Sequence, residues 1–227
     1  MTPFARAPLA FEVERFEARL RGLVAREAFV FPSEAVPNDF RRSSVLICFW
    51  RDSDDLRVVL TRRAARLSSH AGQMAFPGGR LDEGESPIEA ALRETEEEIG
   101  LPGEEIEILG RLDDAWSGAG HLLVPVVGWL ERRPIFRPNP AEVAEIHEPR
   151  VSALLDPRAY EEDVVELGDE RFTNAILRWP EAHVYGLSTG LLIEALTWGL
   201  GLEEPPGPGR LRALRAFLTH KAEADAK

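Results

Sequence analysis

Three glutamates, Glu94, Glu97 and Glu98, stand at spacings that place their carboxylates on one face of a helix. Like charges held this close repel each other, and hard divalent cations such as Mg²⁺ and Mn²⁺ prefer clusters of carboxylate oxygens as ligands. The simpler alternative, typical of glutamate-rich helices, is a solvated acidic face. That alternative does not account for Glu85 and Arg93, which accompany the cluster at fixed offsets. The sequence therefore predicts a divalent-metal site on this helix.

The stretch around the glutamates carries the signals of a helix with defined ends. Ser86 is a favourable N-cap residue, Pro87 suits the first helical position, and Glu89 completes a capping box with Ser86. Gly100 fits the C-terminal end, where a left-handed backbone is common. These signals predict a helix that begins after Ser86 and presents the three glutamates from one side.

Residues 79–101 (GRLDEGESPIEAALRETEEEIGL) resemble the Nudix box, the signature of hydrolases that cleave a nucleoside diphosphate linked to another group. The signature reads glycine, five residues, glutamate, seven residues, arginine–glutamate, an aliphatic residue, any residue, two glutamates, any residue, glycine and an aliphatic residue. Thr95 stands where a bulky aliphatic residue is usual, and its branched shape predicts little consequence. The matching residues are Gly79, Glu85, Arg93, Glu94, Glu97, Glu98, Gly100 and Leu101.

The resemblance implies roles for the residues of the box. Glu94, Glu97 and Glu98 are expected to bind Mg²⁺ or Mn²⁺ as the cofactor, with the backbone carbonyl of Gly78 as a further ligand. The glycine pair lets a ligand approach the backbone closely, so Gly79 is a candidate substrate contact.

Two carboxylates outside the box, Glu142 and Glu145, are candidates for an additional metal ligand or for the general base. Solvent-facing strand residues are the alternative interpretation for both. Within the box, Glu85 and Arg93 are expected to form an ion pair that orients the ligand helix rather than to contact the substrate. One carboxylate of the whole set is expected to be the general base, and the sequence leaves its identity open.

A second resemblance lies directly upstream, in residues 60–79 (LTRRAARLSSHAGQMAFPGG). This stretch is similar to the signature of coenzyme A pyrophosphatases, a subfamily of the Nudix hydrolases. Ser68 departs from the signature, which has an arginine at that position. Residues 117–128 and 139–146 also resemble the subfamily. The matching residues of the signature are Leu60, Thr61, Arg63, Ala64, Gly72, Phe76, Pro77, Gly78 and Gly79.

Basic residues near this signature are candidates for binding substrate phosphates, because guanidinium groups suit phosphate oxygens. Arg63 or Arg66 is the candidate for a 3′-phosphate, with an ordinary charged sheet edge as the alternative. His70 is a further candidate, with a structural hydrogen bond as the alternative. His121 lies in a glycine-containing loop that is a candidate cover for the site. The arginines that cluster before the box are Arg57, Arg62, Arg63 and Arg66.

Composition and charge exclude several classes of function. The chain carries 27 basic and 39 acidic residues, a net charge of −12, and the box, with eight acids and two bases, holds −6 of it. This distribution argues against a nucleic-acid surface and for a focused cation site. Cys48 is the one cysteine, so no intrachain disulfide is possible. Because no apolar run has the length of a membrane span or the features of a secretory signal, we expect a cytoplasmic protein without a membrane partner.

Strand and helix patterns predict one α/β domain with terminal additions. Residues 1–42 are expected to form an N-terminal helix and connector, residues 43–200 the Nudix domain, and residues 201–227 a linker and C-terminal helix. Amphipathic spacing predicts that the first helix spans residues 9–27. The resemblance implies the Nudix α/β/α sandwich with a mixed β-sheet, as a monomer or homodimer.

The leading functional interpretation, implied by the resemblance, is metal-dependent hydrolysis of coenzyme A or acyl-CoA. The expected products are 3′,5′-ADP and 4′-phosphopantetheine or its acyl form. The same chemistry on another small nucleotide-type substrate, such as ADP-ribose or an oxidised nucleotide, is the alternative that Ser68 keeps open. A binding module that uses the Nudix fold without catalysis is a third interpretation. It is disfavoured because such modules typically lose box carboxylates, and all are present here.

Overall fold

The computed structural model describes residues 4, 11–67, 70–167, 170–179, 182–202 and 207–225, and within them no helix is both long and apolar enough to cross a membrane. The helices are α1 (Val13–Arg21), α2 (Pro87–Ile99), α3 (Val151–Leu154), α4 (Leu187–Leu200) and α5 (Gly207–Asp225). The strands are β1 (Arg41–Asp52), β2 (Asp55–Val58), β3 (Leu60–Arg63), β4 (Met74–Ala75), β5 (Gly78–Arg80), β6 (Glu107–Arg111), β7 (Ala115–Ser117), β8 (His121–Leu130), β9 (Val143–His147), β10 (Tyr160–Leu167), β11 (Glu170–Trp179) and β12 (Ala182–Val184).

The central sheet is organised around β1. This strand runs parallel to β8 along its whole shared length, from Arg41 opposite His121 to Trp50 opposite Leu130. On its other edge β1 pairs antiparallel with β5 near its beginning and with β2 near its end. β8 in turn pairs antiparallel with β6 and β7. The sheet is therefore mixed, as predicted.

Alternate residues of β1 face opposite sides of the sheet, and both sides are covered. Leu46, Cys48 and Trp50 pack in one apolar cluster with residues of α2. Ile47 and Phe49 point the other way, into a larger cluster that contains residues of α1 and α4. Because helices cover both faces of a mixed sheet, the predicted α/β/α sandwich is confirmed.

Two smaller sheets flank the central one. The first has the order β4-β3-β9. It joins the beginning of the 60–79 signature, in β3, to the strand that carries Glu145, which lies opposite Arg62. The second is an antiparallel sheet of β10, β11 and β12. The first sheet brings two stretches that are distant in sequence to one end of the box.

The N-terminal helix is shorter than predicted. Instead of spanning residues 9–27, α1 ends at Arg21 and continues as a 3₁₀ turn over Gly22–Ala25. It packs against α4, where Gly199 leaves room for the ring of Phe16; a Cβ at position 199 would lie 2.3 Å from that ring.

A buried set of ion pairs connects the chain's outer helices to the central sheet. Arg26 lies 2.6 Å from Asp113 and 3.5 Å from Glu194, and Arg210 of α5 lies 2.6 Å from the other oxygen of Glu194. Arg210 also donates to the backbone carbonyls of Asp113 and Asp114. We call Arg26, Asp113, Glu194 and Arg210 the buried ion network.

Candidate active site

The box helix α2 has the ends that the sequence predicted. The Ser86 hydroxyl accepts a hydrogen bond from the backbone N–H of Glu89 at 3.3 Å, and the Glu89 carboxylate accepts one from the N–H of Ser86 at 2.8 Å. Gly100 ends the helix with a φ of 66°. Thr95 is buried and donates its hydroxyl to the Ala91 carbonyl at 2.6 Å, so its polar group is satisfied within the helix. The predicted capping box is therefore present.

Arg93 is the centre of a hydrogen-bond network within the box. Its guanidinium donates to both oxygens of Glu85, at 2.8 and 3.0 Å, and to Glu94 at 3.0 Å and Glu97 at 3.2 Å. It also donates to the backbone carbonyl of Arg80 at 2.9 Å. The bonds to Glu85 are the largest cause of a raised Arg93 pKa, so this side chain stays charged. One residue thus holds the loop, the helix and two of the three predicted ligands together.

The glycine pair allows two carboxylates to approach the backbone of β5. The N–H of Gly78 donates to Glu98 at 3.2 Å. Gly78 has a φ of 151°, and a Cβ there would lie 2.3 Å from the carbonyl oxygen of Ser44. A Cβ on Gly79 would lie 2.3 Å from the carboxylate of Glu94. Because a Cβ at position 78 would meet backbone atoms, that glycine is required by the packing, whereas a Cβ at position 79 would displace the Glu94 carboxylate.

Two of the three predicted ligands, Glu94 and Glu98, are held away from bulk water, whereas Glu97 is exposed. Burial raises the pKa of Glu98 to about 7, although the N–H of Gly78 and the charge of Arg63 lower it. Burial also raises the pKa of Glu94, partly opposed by its bond to Arg93. Glu94 and Glu142 add to the rise at Glu98 because like charges lie close together. The site therefore holds two carboxylates in a poorly hydrated place, next to a third that faces water.

The two carboxylates proposed from outside the box have different surroundings. Glu142 interacts electrostatically with both Glu94 and Glu98, and its carboxylate accepts from the side chain of Asn139 at 3.0 Å. Glu145 is exposed and bonds to Arg62 at 2.9 Å and to His147 at 3.0 Å. The structure thus brings Glu142 to the box glutamates and directs Glu145 to neighbours on its own small sheet.

The donor atoms of the site suit a hard divalent cation. Carboxylates and a backbone carbonyl are the ligands such ions prefer, and the mutual repulsion of Glu94, Glu98 and Glu142 is the cost that a cation would relieve. Within the described part of the chain, no three acidic, histidine or cysteine side chains converge as a ready-made ligand set. In the structure, Arg63 contacts Glu98, and Arg93 contacts Glu94 and Glu97. Metal binding by these residues stays a prediction.

The arginines of the upstream signature have separate positions. Arg63 lies 3.6 Å from Glu98, and its buried Nε has no hydrogen-bond partner. Arg66 instead donates to the backbone carbonyls of Pro140 at 2.7 Å and Ala141 at 3.3 Å, in the loop that precedes Glu142. Ser68, the position that departs from the signature, lies outside the described residues. Of the two arginines, Arg63 is the one that points into the site.

The two predicted histidines lie on one side of the site. His70 has a φ of 56° and a ring nitrogen 2.9 Å from the side-chain oxygen of Gln73. His121 begins β8, and its Nδ1 lies 3.2 Å from the hydroxyl of Ser43. Burial, and after it the charges of Arg80 and Arg41, lowers the pKa of His121. Neither arginine was among the residues predicted from the sequence. In the sequence, the position of Arg80 directly after the glycine pair could have identified it as a residue of the site.

Comparison with known proteins places residues 40–168 in the NUDIX domain family. The chain is 40% identical over 138 residues to an uncharacterized Nudix hydrolase NudL of Photorhabdus laumondii, an alignment that covers 60% of this chain and 73% of that protein. It is 36% identical over 157 residues to the NudL of Escherichia coli K12, covering 68% and 80%. The solved structure of a MutT/nudix family protein from Enterococcus faecalis is 17% identical to this chain, with a TM-score of 0.48. The alignment covers 91% of this chain and 75% of that protein's chain.

Proposed function

The chain belongs to the NUDIX family and is a Nudix hydrolase, and from this premise we propose that it hydrolyses the diphosphate bond of coenzyme A or acyl-CoA. Nudix hydrolases act on nucleoside diphosphate derivatives, generally with divalent metal ions. The proposed products are 3′,5′-ADP and 4′-phosphopantetheine or its acyl form. Mg²⁺ or Mn²⁺ is the proposed cofactor.

One contact carries this proposal, namely that between Arg63 and Glu98. Arg63 belongs to the stretch similar to the coenzyme A pyrophosphatase signature, and Glu98 belongs to the box. Their side chains lie 3.6 Å apart, so the subfamily motif and the hydrolase motif share one site. The Arg63 side chain is partly exposed, at 26%, so its guanidinium is a candidate contact for a phosphate oxygen of a substrate.

The residues of the box would divide the work of hydrolysis. A divalent cation held by Glu94, Glu97, Glu98 and the carbonyl of Gly78 would neutralise diphosphate charge and polarise the attacking water. Arg93 keeps Glu94 and Glu97 in place through the bonds described above. Such orienting partners typically contribute 10-fold to 100-fold to metal affinity or activity.

The reaction adds water across the phosphoric anhydride. A new P–O bond forms to the water oxygen, the bond from the same phosphorus to the bridging oxygen breaks, and the water releases a proton. We assign Glu142 as the acceptor of this proton, because its carboxylate lies outside the box and interacts with both Glu94 and Glu98. The bridging oxygen leaves as part of a phosphate monoester.

A substrate panel tests the proposal directly. It contains coenzyme A, dephospho-coenzyme A, ADP-ribose, NADH and an oxidised nucleoside triphosphate, each with Mg²⁺, with Mn²⁺ and with a chelator, and products are identified by mass. We expect metal-dependent release of 3′,5′-ADP from coenzyme A at the highest kcat/KM. Preference for ADP-ribose would keep the Nudix chemistry and overturn the coenzyme A assignment. No hydrolysis of any member with either metal would contradict the enzymatic role itself.

A further inference from the structure

A cluster of basic side chains lies on the side of β5 opposite the box glutamates. Arg41 of β1 is paired with His121 of β8, and Ser43 of β1 is paired with Arg80 of β5. Paired residues project on the same face of a sheet, as do residues two apart in a strand. Arg41, Ser43, Arg80 and His121 therefore share one face. We call Arg41, Arg80 and His121 the basic cluster.

The two arginines of the basic cluster are not neutralised. In the part of the chain that the structure describes, neither guanidinium makes a hydrogen bond or ion pair. The arginines selected from the sequence differ: Arg57 bonds to Asp52 at 2.8 Å, and Arg66 binds backbone carbonyls. In a chain of net charge −12, two unpaired guanidinium groups on one face form a local site for an anion.

His121 adds a neutral hydrogen-bonding group to this face. Burial, and after it the charges of Arg80, Arg41 and His70, lowers the pKa of His121 and so favours the neutral imidazole. Its Nδ1 is within hydrogen-bond distance of the largely buried Ser43 hydroxyl. Its Nε2 has no partner among the described side chains. The cluster thus combines two fixed positive charges with one oriented imidazole.

The basic cluster is within reach of a substrate bound at the box. β5 is a three-residue edge strand, so a ligand can extend around it. The carboxylate of Glu94 lies against Gly79 on one side, and the side chain of Arg80 projects to the other. Arg80 is two residues from Gly78, which is about 7 Å along an extended strand. A nucleotide that extends around this edge strand would contact both sites.

We propose that Arg41, Arg80 and His121 bind a phosphate monoester that the substrate carries away from the cleaved diphosphate. In coenzyme A this group is the 3′-phosphate, so this inference rests on the proposed function and identifies the residues that select the substrate. Bidentate guanidinium groups match the oxygens of a phosphate dianion, and the imidazole supplies a further hydrogen bond.

Steady-state kinetics of Arg41→Gln and Arg80→Gln on coenzyme A and dephospho-coenzyme A test the inference. Each variant loses hydrogen bonds to a charged phosphate. We therefore expect each variant to lower the ratio of kcat/KM for coenzyme A to kcat/KM for dephospho-coenzyme A about 10-fold or more. Arg132→Gln is the matched control, because it removes the same charge beyond the opposite end of β8. A ratio near one in the wild type, or one unchanged in both variants, overturns the inference and leaves hydrolysis of the diphosphate intact.

Calorimetry of the whole chain in chelator separates the inference from catalysis. We expect adenosine 3′,5′-bisphosphate to bind the wild type at least 10-fold more tightly than 5′-AMP, and each variant to lose this preference. Inorganic phosphate is titrated as a probe of the isolated group. The site is supported if phosphate competes with adenosine 3′,5′-bisphosphate for the wild type and if this competition is lost in Arg41→Gln and Arg80→Gln. Equal binding of the two nucleotides by the wild type contradicts it. If wild-type protein shows the preference but splits no coenzyme A, the proposed function fails and the binding site stands.

Discussion

The protein contains two arginine–carboxylate networks that differ in charge balance and in exposure. In the buried ion network, two arginines face two acids, and the side chains of Asp113 and Glu194 are 1% and 8% exposed. In the box, Arg93 and Arg63 face four glutamates, and Glu97 is 55% exposed. The first network is neutral and closed, which suits joining parts of a fold. The second has excess negative charge beside water, which suits binding a cation.

The largest expected effect is loss of turnover in Glu98→Gln. Removing one carboxylate from the predicted ligand set should lower kcat on the order of 10³-fold, because metal-ion stabilisation is worth several kcal/mol. The melting temperature should change little. Glutamine still accepts from the N–H of Gly78, the variant removes a buried charge, and Arg63, which loses a contact of 3.6 Å, is partly exposed. Assays on coenzyme A with Mg²⁺ and thermal denaturation measure the two effects.

Glu96→Gln is the matched control for that variant, because Glu96 is an exposed residue of the same helix. Its turnover should stay near that of the wild type. Full activity of Glu98→Gln would remove Glu98 from the ligand set and weaken the contrast between the two networks.

Glu194→Gln should have the opposite character, a loss of stability. The change leaves Arg26 and Arg210 without a full counter-charge in a buried place, and breaking a buried pair costs about 3 to 5 kcal/mol. Denaturant unfolding measures the free-energy change. The control is Glu131→Gln, which removes an exposed carboxylate from a pair with Arg21 and should cost less than about 1 kcal/mol. Equal costs for the two variants would show that burial does not distinguish the networks.

Arg93→Lys tests whether the box depends on geometry or only on charge. Lysine keeps the charge but does not reproduce the paired bonds to Glu85 together with the bond to the Arg80 carbonyl. We expect activity to fall about 10-fold to 100-fold, as for other residues that orient metal ligands. Arg21→Lys, at an arginine that also bonds three glutamates, should leave activity unchanged. A loss of activity of less than twofold in Arg93→Lys would show that Arg93 acts only through its charge.

The smallest expected effect is stabilisation by the metal itself. Mg²⁺ at about 10 times its Kd should add about 1.4 kcal/mol to the free energy of unfolding, because it binds the folded state. The increment should persist in Glu194→Gln and disappear in Glu98→Gln. Thermal denaturation with chelator, Mg²⁺ and Mn²⁺ measures it. An increment that Glu98→Gln retains would place the cation elsewhere.

Local features of the fold were predictable because their causes lie within a few residues. The capping box of α2 involves Ser86 and Glu89, and both bonds are present. Residues 44–50 have the apolar pattern of a buried strand, whereas β1 begins three residues earlier, at Arg41. Its first residues are polar and resemble a loop in sequence; they are in a strand because β8 pairs with them. β10, whose sequence is acidic, is likewise in a strand because β11 pairs with it.

The partners of charged residues were less predictable, because each depends on contacts between distant segments. Arg66 was a phosphate candidate by its position in the signature, yet loop carbonyls near Pro140 take its donors. Arg41 was not selected, and only the pairing of β1 with β8 brings it beside His121. The sequence spacing also did not show which of Glu142 and Glu145 lies near the box glutamates, because the register of β9 against β3 decides their neighbours.

The parallel pairing of β1 with β8 has a consequence for how the chain folds. Arg41 pairs with His121, 80 positions further along, so closing this contact costs considerable chain entropy before the strands stabilise each other. Along the chain, the box helix comes between these two strands. It has its own caps, so it is able to form early from local contacts. We therefore expect slow folding, in which the glutamates are displayed on a helix before the sheet that will position them exists.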